Sequence, residues 1–123
     1  MTGTSPLALL ISNTESLQNG LLALLTTLPQ IGAVLVAEDG NIALRMIKSH
    51  IPALIIIDMS MPDMSNLILQ VKADTPNIQI IAIIEDTAQQ KAVETSRVDG
   101  MLRKGFSPQK LMALIDNLIG EQD

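Results

Sequence analysis

Ala53-Leu54-Ile55-Ile56-Ile57 is an unbroken apolar run, closed at once by a single acid, Asp58. A strand with one face in water alternates apolar and polar residues, whereas a strand buried on both faces reads as a continuous hydrophobic run. Such a run needs cover above and below the sheet. Helices joining parallel strands provide that cover. In open sheets of this kind, ligands bind and chemistry is done beyond the carboxyl ends of the strands. The run therefore restricts the fold to an α/β sheet and delivers one carboxylate to its functional edge.

The rest of the chain alternates in the same sense. Leu7 to Ile11 predicts a first strand, and Ser12-Asn13-Thr14-Glu15 after it has the Ser-x-x-Glu form of a capping box. Leu17, Leu21, Leu24, Leu25 and Leu28 then recur at helical spacing until Pro29. Ala33 to Ala37 predicts a second strand, after which Asp39 caps a helix with Ile42, Met46 and Ile47 on its apolar face. The third strand is Ala53 to Ile57, and Leu67, Leu69 and Val71 fall in a short helix beyond the Asp58 loop.

Ile78 to Ile84 predicts a fourth strand, apolar except at Gln79. Thr87-x-x-Gln90 caps a helix in which only Ala88, Ala92 and Val93 are apolar, and a helix with so little to bury is expected to be mobile or docked on something. Gly100 to Leu102 predicts a short fifth strand. Ser107-Pro108 opens a last helix with Leu111, Leu114, Ile115, Leu118 and Ile119 toward the core. Strict alternation over residues 1–123 predicts one domain: a parallel sheet whose right-handed crossovers place helices on both faces.

Charge and composition exclude several function classes. The net charge is −5, and the eight Lys and Arg are scattered, so no surface is expected to track nucleic-acid phosphates. Without cysteine there is no disulfide framework and no Cys-based metal site, which fits a reducing cytoplasm. Ser16 to Ala37 lacks charge, but Gln18, Asn19, Gly20, Pro29, Gln30 and Gly32 interrupt it, so it reads as helix, turn and strand rather than a membrane span. No basic segment precedes the first apolar residues, as a signal peptide requires. The chain has neither a Gly-rich phosphate loop nor paired acid–base residues, and its lone His50 is expected on the surface, so an autonomous enzyme is not expected.

Three stretches carry a resemblance to a known family. Pro52 to Met64, with the strand, Asp58 and the following Met61-Pro62, is similar to the phospho-acceptor region of the receiver domain of two-component response regulators. Ala37 to Leu44 resembles that family's turn into its second helix, and Lys104-Gly105-Phe106 stands where the family has Lys-Pro-Phe. The resemblance covers essentially the whole chain. It implies a flavodoxin-like (βα)5 three-layer sandwich with strand order 2-1-3-4-5.

The resemblance also implies chemistry. Asp58 would accept a phosphoryl group from a sensor histidine kinase or phosphotransfer protein, and Lys104 would neutralise that group. Mg²⁺ would be held by Asp58, by the Ser60 backbone carbonyl and by an acidic pair after the first strand. Mg²⁺ takes oxygen ligands, usually one or two carboxylates with water and phosphate.

The acidic pair is missing, its places taken by Ser12 and Asn13. Two unit charges about 4 Å apart interact by about 4 kcal/mol at an effective dielectric near 20, so losing two carboxylates weakens Mg²⁺ binding severely. Asn13 still offers an oxygen, so weak Mg²⁺ binding is expected at most. Glu85, just past the fourth strand, is a more plausible stand-in carboxylate than Glu15, which the capping box would turn back toward the helix terminus.

The family's switch is a Ser or Thr hydroxyl at the end of the fourth strand and an aromatic in the fifth. Ile84 and Met101 stand at these places. Asn66 replaces the usual glycine after the acceptor loop, where a positive φ is expected, and Gly105 replaces the usual proline.

The expectation is an atypical receiver domain whose phosphorylation switch is impaired, acting through a protein partner or a homodimer at the surface of the fourth helix, fifth strand and fifth helix. The alternative is an ordinary receiver with slow, Mg²⁺-dependent phosphorylation of Asp58. A third reading is a small-ligand module at the same sheet edge.

Overall fold

A computed structural model describes residues 6–119. The elements run β1 (Leu7–Ile11), α1 (Glu15–Leu25), β2 (Ala33–Ala37), α2 (Gly40–His50), β3 (Leu54–Asp58), α3 (Met64–Asp74), β4 (Gln79–Ile84), α4 (Thr87–Glu94), β5 (Gly100–Arg103) and α5 (Pro108–Ile119). All five strands pair in parallel, in the order β2-β1-β3-β4-β5. The parallel sheet is the one the alternation predicts, and its strand order is the flavodoxin-like order that the resemblance implies.

The double-sided burial inferred for the central run is present from Leu54 onward, Ala53 being part-buried and ahead of the strand. Every residue of β3 is buried. Successive side chains point to opposite faces, so each strand supplies two cores. Leu9, Ile11, Ile55, Ile57, Ile80, Ala82 and Ile84 pack beneath α2, α3 and α4. Ala8, Leu10, Leu54, Ile56, Ile81 and Ile83 pack against α1 and α5 through Leu21, Leu25, Leu111 and Ile115. No helix of the described residues is long and apolar enough to cross a membrane.

Local expectations fail at several helix ends, each time because a tertiary demand outranks a short motif. The Ser12–Glu15 capping box does not form: Thr14 holds the N-cap of α1 without a side-chain bond. Ser12 is fully buried instead, and its Oγ accepts the Thr14 N–H at 3.1 Å. In α4 the cap is Asp86 rather than Thr87, its carboxylate accepting the Gln89 N–H. The left-handed residue of the acceptor loop is Asp63, at φ 63°, and Asn66 lies inside α3.

Two features escaped the sequence reading. Ile51 closes α2 in the left-handed region, at φ 46° and ψ 71°, with its side chain 64% exposed. That conformation costs an L-residue about 1–2 kcal/mol, and a β-branched side chain worsens it. Lys72, on α3, is buried to 7% exposure and pairs with Asp99 at 2.7 Å. Its ammonium also donates to the Ile78 carbonyl at 2.6 Å, while the same Asp99 oxygen accepts the Ile80 N–H at 2.8 Å. The pair thus ties α3 and the start of β4 to the residue that leads into β5.

Two outcomes are expected in denaturant titrations. Ile51→Asn should raise stability by about 1 kcal/mol, since Asn tolerates the left-handed region and little burial is lost. Asp99→Ala should lower it by about 2–4 kcal/mol by leaving a buried ammonium uncompensated. A drop for the first, or no change for the second, contradicts these assignments.

Candidate functional site

Strand register assembles the site at the carboxyl edge. Asp58 is the last residue of β3 and lies opposite Ile83 of β4. Ile84 lies opposite Arg103 of β5, and the Lys104 N–H donates to the Ile84 carbonyl at 2.8 Å. Lys104 therefore leaves the sheet beside the strand that separates it from Asp58. Its ammonium reaches back to within 3.6 Å of Asp58 Oδ1.

Asp58 is 1% exposed, and its two oxygens have different surroundings. Oδ1 accepts the Ser60 N–H at 3.0 Å and the Ser60 hydroxyl at 2.5 Å. The first of these is an Asx-turn, which a short acid makes with the backbone two residues on. Ser60 Oγ in turn accepts from Lys104 Nζ at 3.0 Å, so a hydroxyl bridges acid and base. Oδ2 is buried and has no hydrogen-bond partner among the described residues. A buried carboxylate oxygen without a hydrogen-bond partner is costly, so the group calls for an explanation.

The neighbouring positions are neutral. Ser12 ends the first crossover's entry, fully buried, with its N–H bonded to the Ala37 carbonyl. Asn13 is exposed beside it. Ile84 is buried at the end of β4 and offers no hydroxyl, and Met101 lies on β5 opposite Ala82, 37% exposed. Among the described residues no group of three or more His, Cys, Asp or Glu side chains is placed to hold a metal ion. Glu85 lies next to Lys104, its Oε1 at 3.6 Å from Nζ.

The loops around the acid are shaped to hold it. Met59, Met61 and Met64 are all buried, so the sulfur-bearing side chains pack the acceptor loop onto the sheet. A cleft of about 300 Å³ lies outside them, bounded by Asn66 of α3 and Gln89 and Ala92 of α4. Gly105 takes φ 91° after Lys104, a backbone that a proline ring fixed near φ −65° could not adopt. The Ser60 hydroxyl bridge went unseen in the sequence. A Ser two residues after a strand-end acid was the available signal.

A parallel flavodoxin-like sheet with one buried aspartate and one lysine at its carboxyl edge defines a class of signalling domain. Residues 8–116 match the response regulator receiver domain family, and the chain belongs to that family. Over 115 residues it is 31% identical to the transcriptional regulatory protein YdfI of Bacillus subtilis (strain 168), covering 90% of this chain and 54% of that protein. The chain thus spans about half the length of this relative.

Solved structures share the fold at lower identity. The signal receiver domain of an HD domain-containing protein from Pseudomonas fluorescens Pf-5 superposes with a TM-score of 0.87 at 21% identity, covering 97% of this chain and 90% of that one. The receiver domain of the sensor histidine kinase PA1611 from Pseudomonas aeruginosa PAO1 gives 0.84 at 21% identity, covering 95% and 99%, and holds a magnesium ion in its active-site cleft. Receiver domains are signalling modules of two-component systems.

Replacing the carboxylate by a neutral amide tests the strain at Oδ2. Asp58→Asn should stabilise the fold by about 1 kcal/mol, because an unpartnered amide is cheaper to bury than an unpartnered carboxylate. The amide oxygen can still accept from Ser60. Thermal unfolding reads this directly, and a destabilised variant would show that the Lys104 pair outweighs the desolvation of Asp58.

Proposed function

We propose that this chain is an atypical receiver domain in which Asp58 remains the phospho-acceptor but phosphate-dependent switching is impaired, so that it signals chiefly through protein–protein contact. The observation that carries the reading is the pairing of a buried, unpartnered Asp58 Oδ2 with neutral neighbours at Ser12 and Asn13. The nucleophile is present and the charge around it is reduced. Transfer from a phospho-histidine needs positioning and charge stabilisation above all, because the transition state spreads negative charge over three oxygens. Lys104, bridged to Asp58 through Ser60, is the cation that this chain keeps for the purpose.

Mg²⁺ fits these residues only as a weak ligand. Asp58 Oδ2, the Ser60 backbone carbonyl and the Asn13 amide oxygen are hard donors of the kind Mg²⁺ takes, but only one is a carboxylate. Bound there, the ion would neutralise charge on the phosphoryl oxygens. The conformational readout is altered as well: Ile84 has no hydroxyl to grip a phosphoryl group, and Met101 lies part-exposed where the family has an aromatic.

Partners follow from the same reading. A histidine kinase or phosphotransfer protein is the donor class, and a protein partner or second copy is expected at α4, β5 and α5. Met101 of β5 and Met112 of α5 are the exposed large apolar residues there. Only Val93 of α4 is buried, so that helix is free to move or dock. No direct contact with nucleic acid is proposed for this net-acidic domain.

The second reading is an ordinary receiver with slow Mg²⁺-dependent phosphorylation. Intact-mass spectrometry after incubation with acetyl phosphate separates the two. Little or no phosphoryl adduct is expected, with or without Mg²⁺, from protein shown to be folded. A stoichiometric Mg²⁺-dependent adduct, lost in Asp58→Asn, would establish the second reading instead.

A further inference from the structure

The geometry points to Glu85 as a positioning residue that holds the Lys104 ammonium off Asp58 and so slows phosphoryl transfer. This inference rests on the reading of Asp58 as acceptor. Lys104 Nζ lies 3.6 Å from Glu85 Oε1 and 3.6 Å from Asp58 Oδ1, and its short hydrogen bond, at 3.0 Å, goes to Ser60 Oγ. The ammonium is thus shared between two carboxylates and a hydroxyl. Neither carboxylate has it within ordinary charge-assisted hydrogen-bond distance, about 2.7–2.9 Å.

Glu85 is itself held in place. Its N–H donates to Gln89 Oε1 at 2.6 Å, and its carbonyl accepts from Arg103 Nη1 at 3.5 Å. The Arg103 Nη2 donates to Gln90 Oε1 at 2.6 Å. Side chains from α4 and β5 thus hold the Glu85 backbone, the start of a side chain that reaches Lys104. This arrangement joins the start of α4 to the site without the hydroxyl that Ile84 lacks.

The reaction at issue is balanced without any proton transfer. A lone pair of Asp58 Oδ2 forms a bond to the phosphorus of acetyl phosphate. The bond from phosphorus to the acetyl oxygen breaks, and acetate leaves with the electron pair. Glu85 opposes this step in two ways. It competes for the one ammonium that would meet the phosphoryl oxygens, and it adds a negative charge where those oxygens enter. Its side chain is 55% exposed, so solvent screens both effects and the gain on removing it is modest.

The test is Glu85→Gln, which keeps shape and removes charge. Crystal structures of the wild type and the variant are expected to show Nζ moved toward Asp58, to about 3.2 Å or less from Oδ1. At saturating Mg²⁺ the rate of adduct formation from acetyl phosphate should rise about two- to fivefold, the range an exposed ion pair allows. The gain should vanish in a Lys104→Met background, as a double-mutant cycle requires. An unmoved Nζ overturns the inference. So does a slower variant with weaker Mg²⁺ dependence, which would make Glu85 a metal ligand. If neither protein gains a phosphoryl group, the position of Nζ alone decides. Rapid adduct formation by the wild type would instead overturn the impaired-switch reading, and the Nζ shift would still decide the role of Glu85.

Discussion

Burial of β3 on both faces is the constraint from which the site follows. A strand enclosed by two helical layers can end in an acid only at the sheet's edge, where one side chain reaches out of the apolar interior. Asp58 occupies that place at 1% exposure, so its charge needs partners close by. Those partners come from the strand register: Ser60 from the turn that β3 enters, and Lys104 from the segment bonded to the end of β4. Remove the double-sided burial and there is no reason for this trio to converge.

The trio leaves the acid half satisfied. Oδ1 receives an N–H, a hydroxyl and a nearby ammonium, while Oδ2 receives no hydrogen bond from the described residues. That asymmetry distinguishes the two oxygens of a single carboxylate, and Oδ2 is the one proposed to accept a phosphoryl group. The positions after β1 are neutral. Ser12 faces inward as a local backbone partner and Asn13 faces solvent, so the formal charge that would hold a divalent cation is reduced. The domain keeps the family's architecture, and in the proposed reading it keeps the acceptor while the apparatus for fast phosphorylation is reduced.

Fold and element order were legible because hydrophobic periodicity is set by the core, and the core is what the chain must build. The strands Leu7–Ile11 and Ala33–Ala37 fall where the apolar runs place them. Helix ends were less legible, since several polar residues in a row compete for one cap. Asp86 outcompetes Thr87, and the burial of Ser12 removes it from the capping box. Within α3, helical phase turns Leu69 outward and Ile68 inward although both are apolar. The Lys72–Asp99 pair was illegible for a different reason: it spans 27 residues, and nothing local marks either partner as buried. The convergence of Asp58 with Lys104 was read from family resemblance, whereas the Ser60 bridge and the contact from Glu85 depend on side-chain placement at the edge.

We propose that the neutral Ser12 and Asn13 after β1 weaken Mg²⁺ binding in this receiver. A Mg²⁺ titration followed by two-dimensional NMR, comparing the wild type with Ser12→Asp/Asn13→Asp, tests it most directly. Each added carboxylate near a divalent ion is worth on the order of a kcal/mol or more, so the double variant should bind Mg²⁺ at least about tenfold more tightly. Equal affinities, in two proteins that both fold, would contradict the account and place the cause of any impaired switching elsewhere.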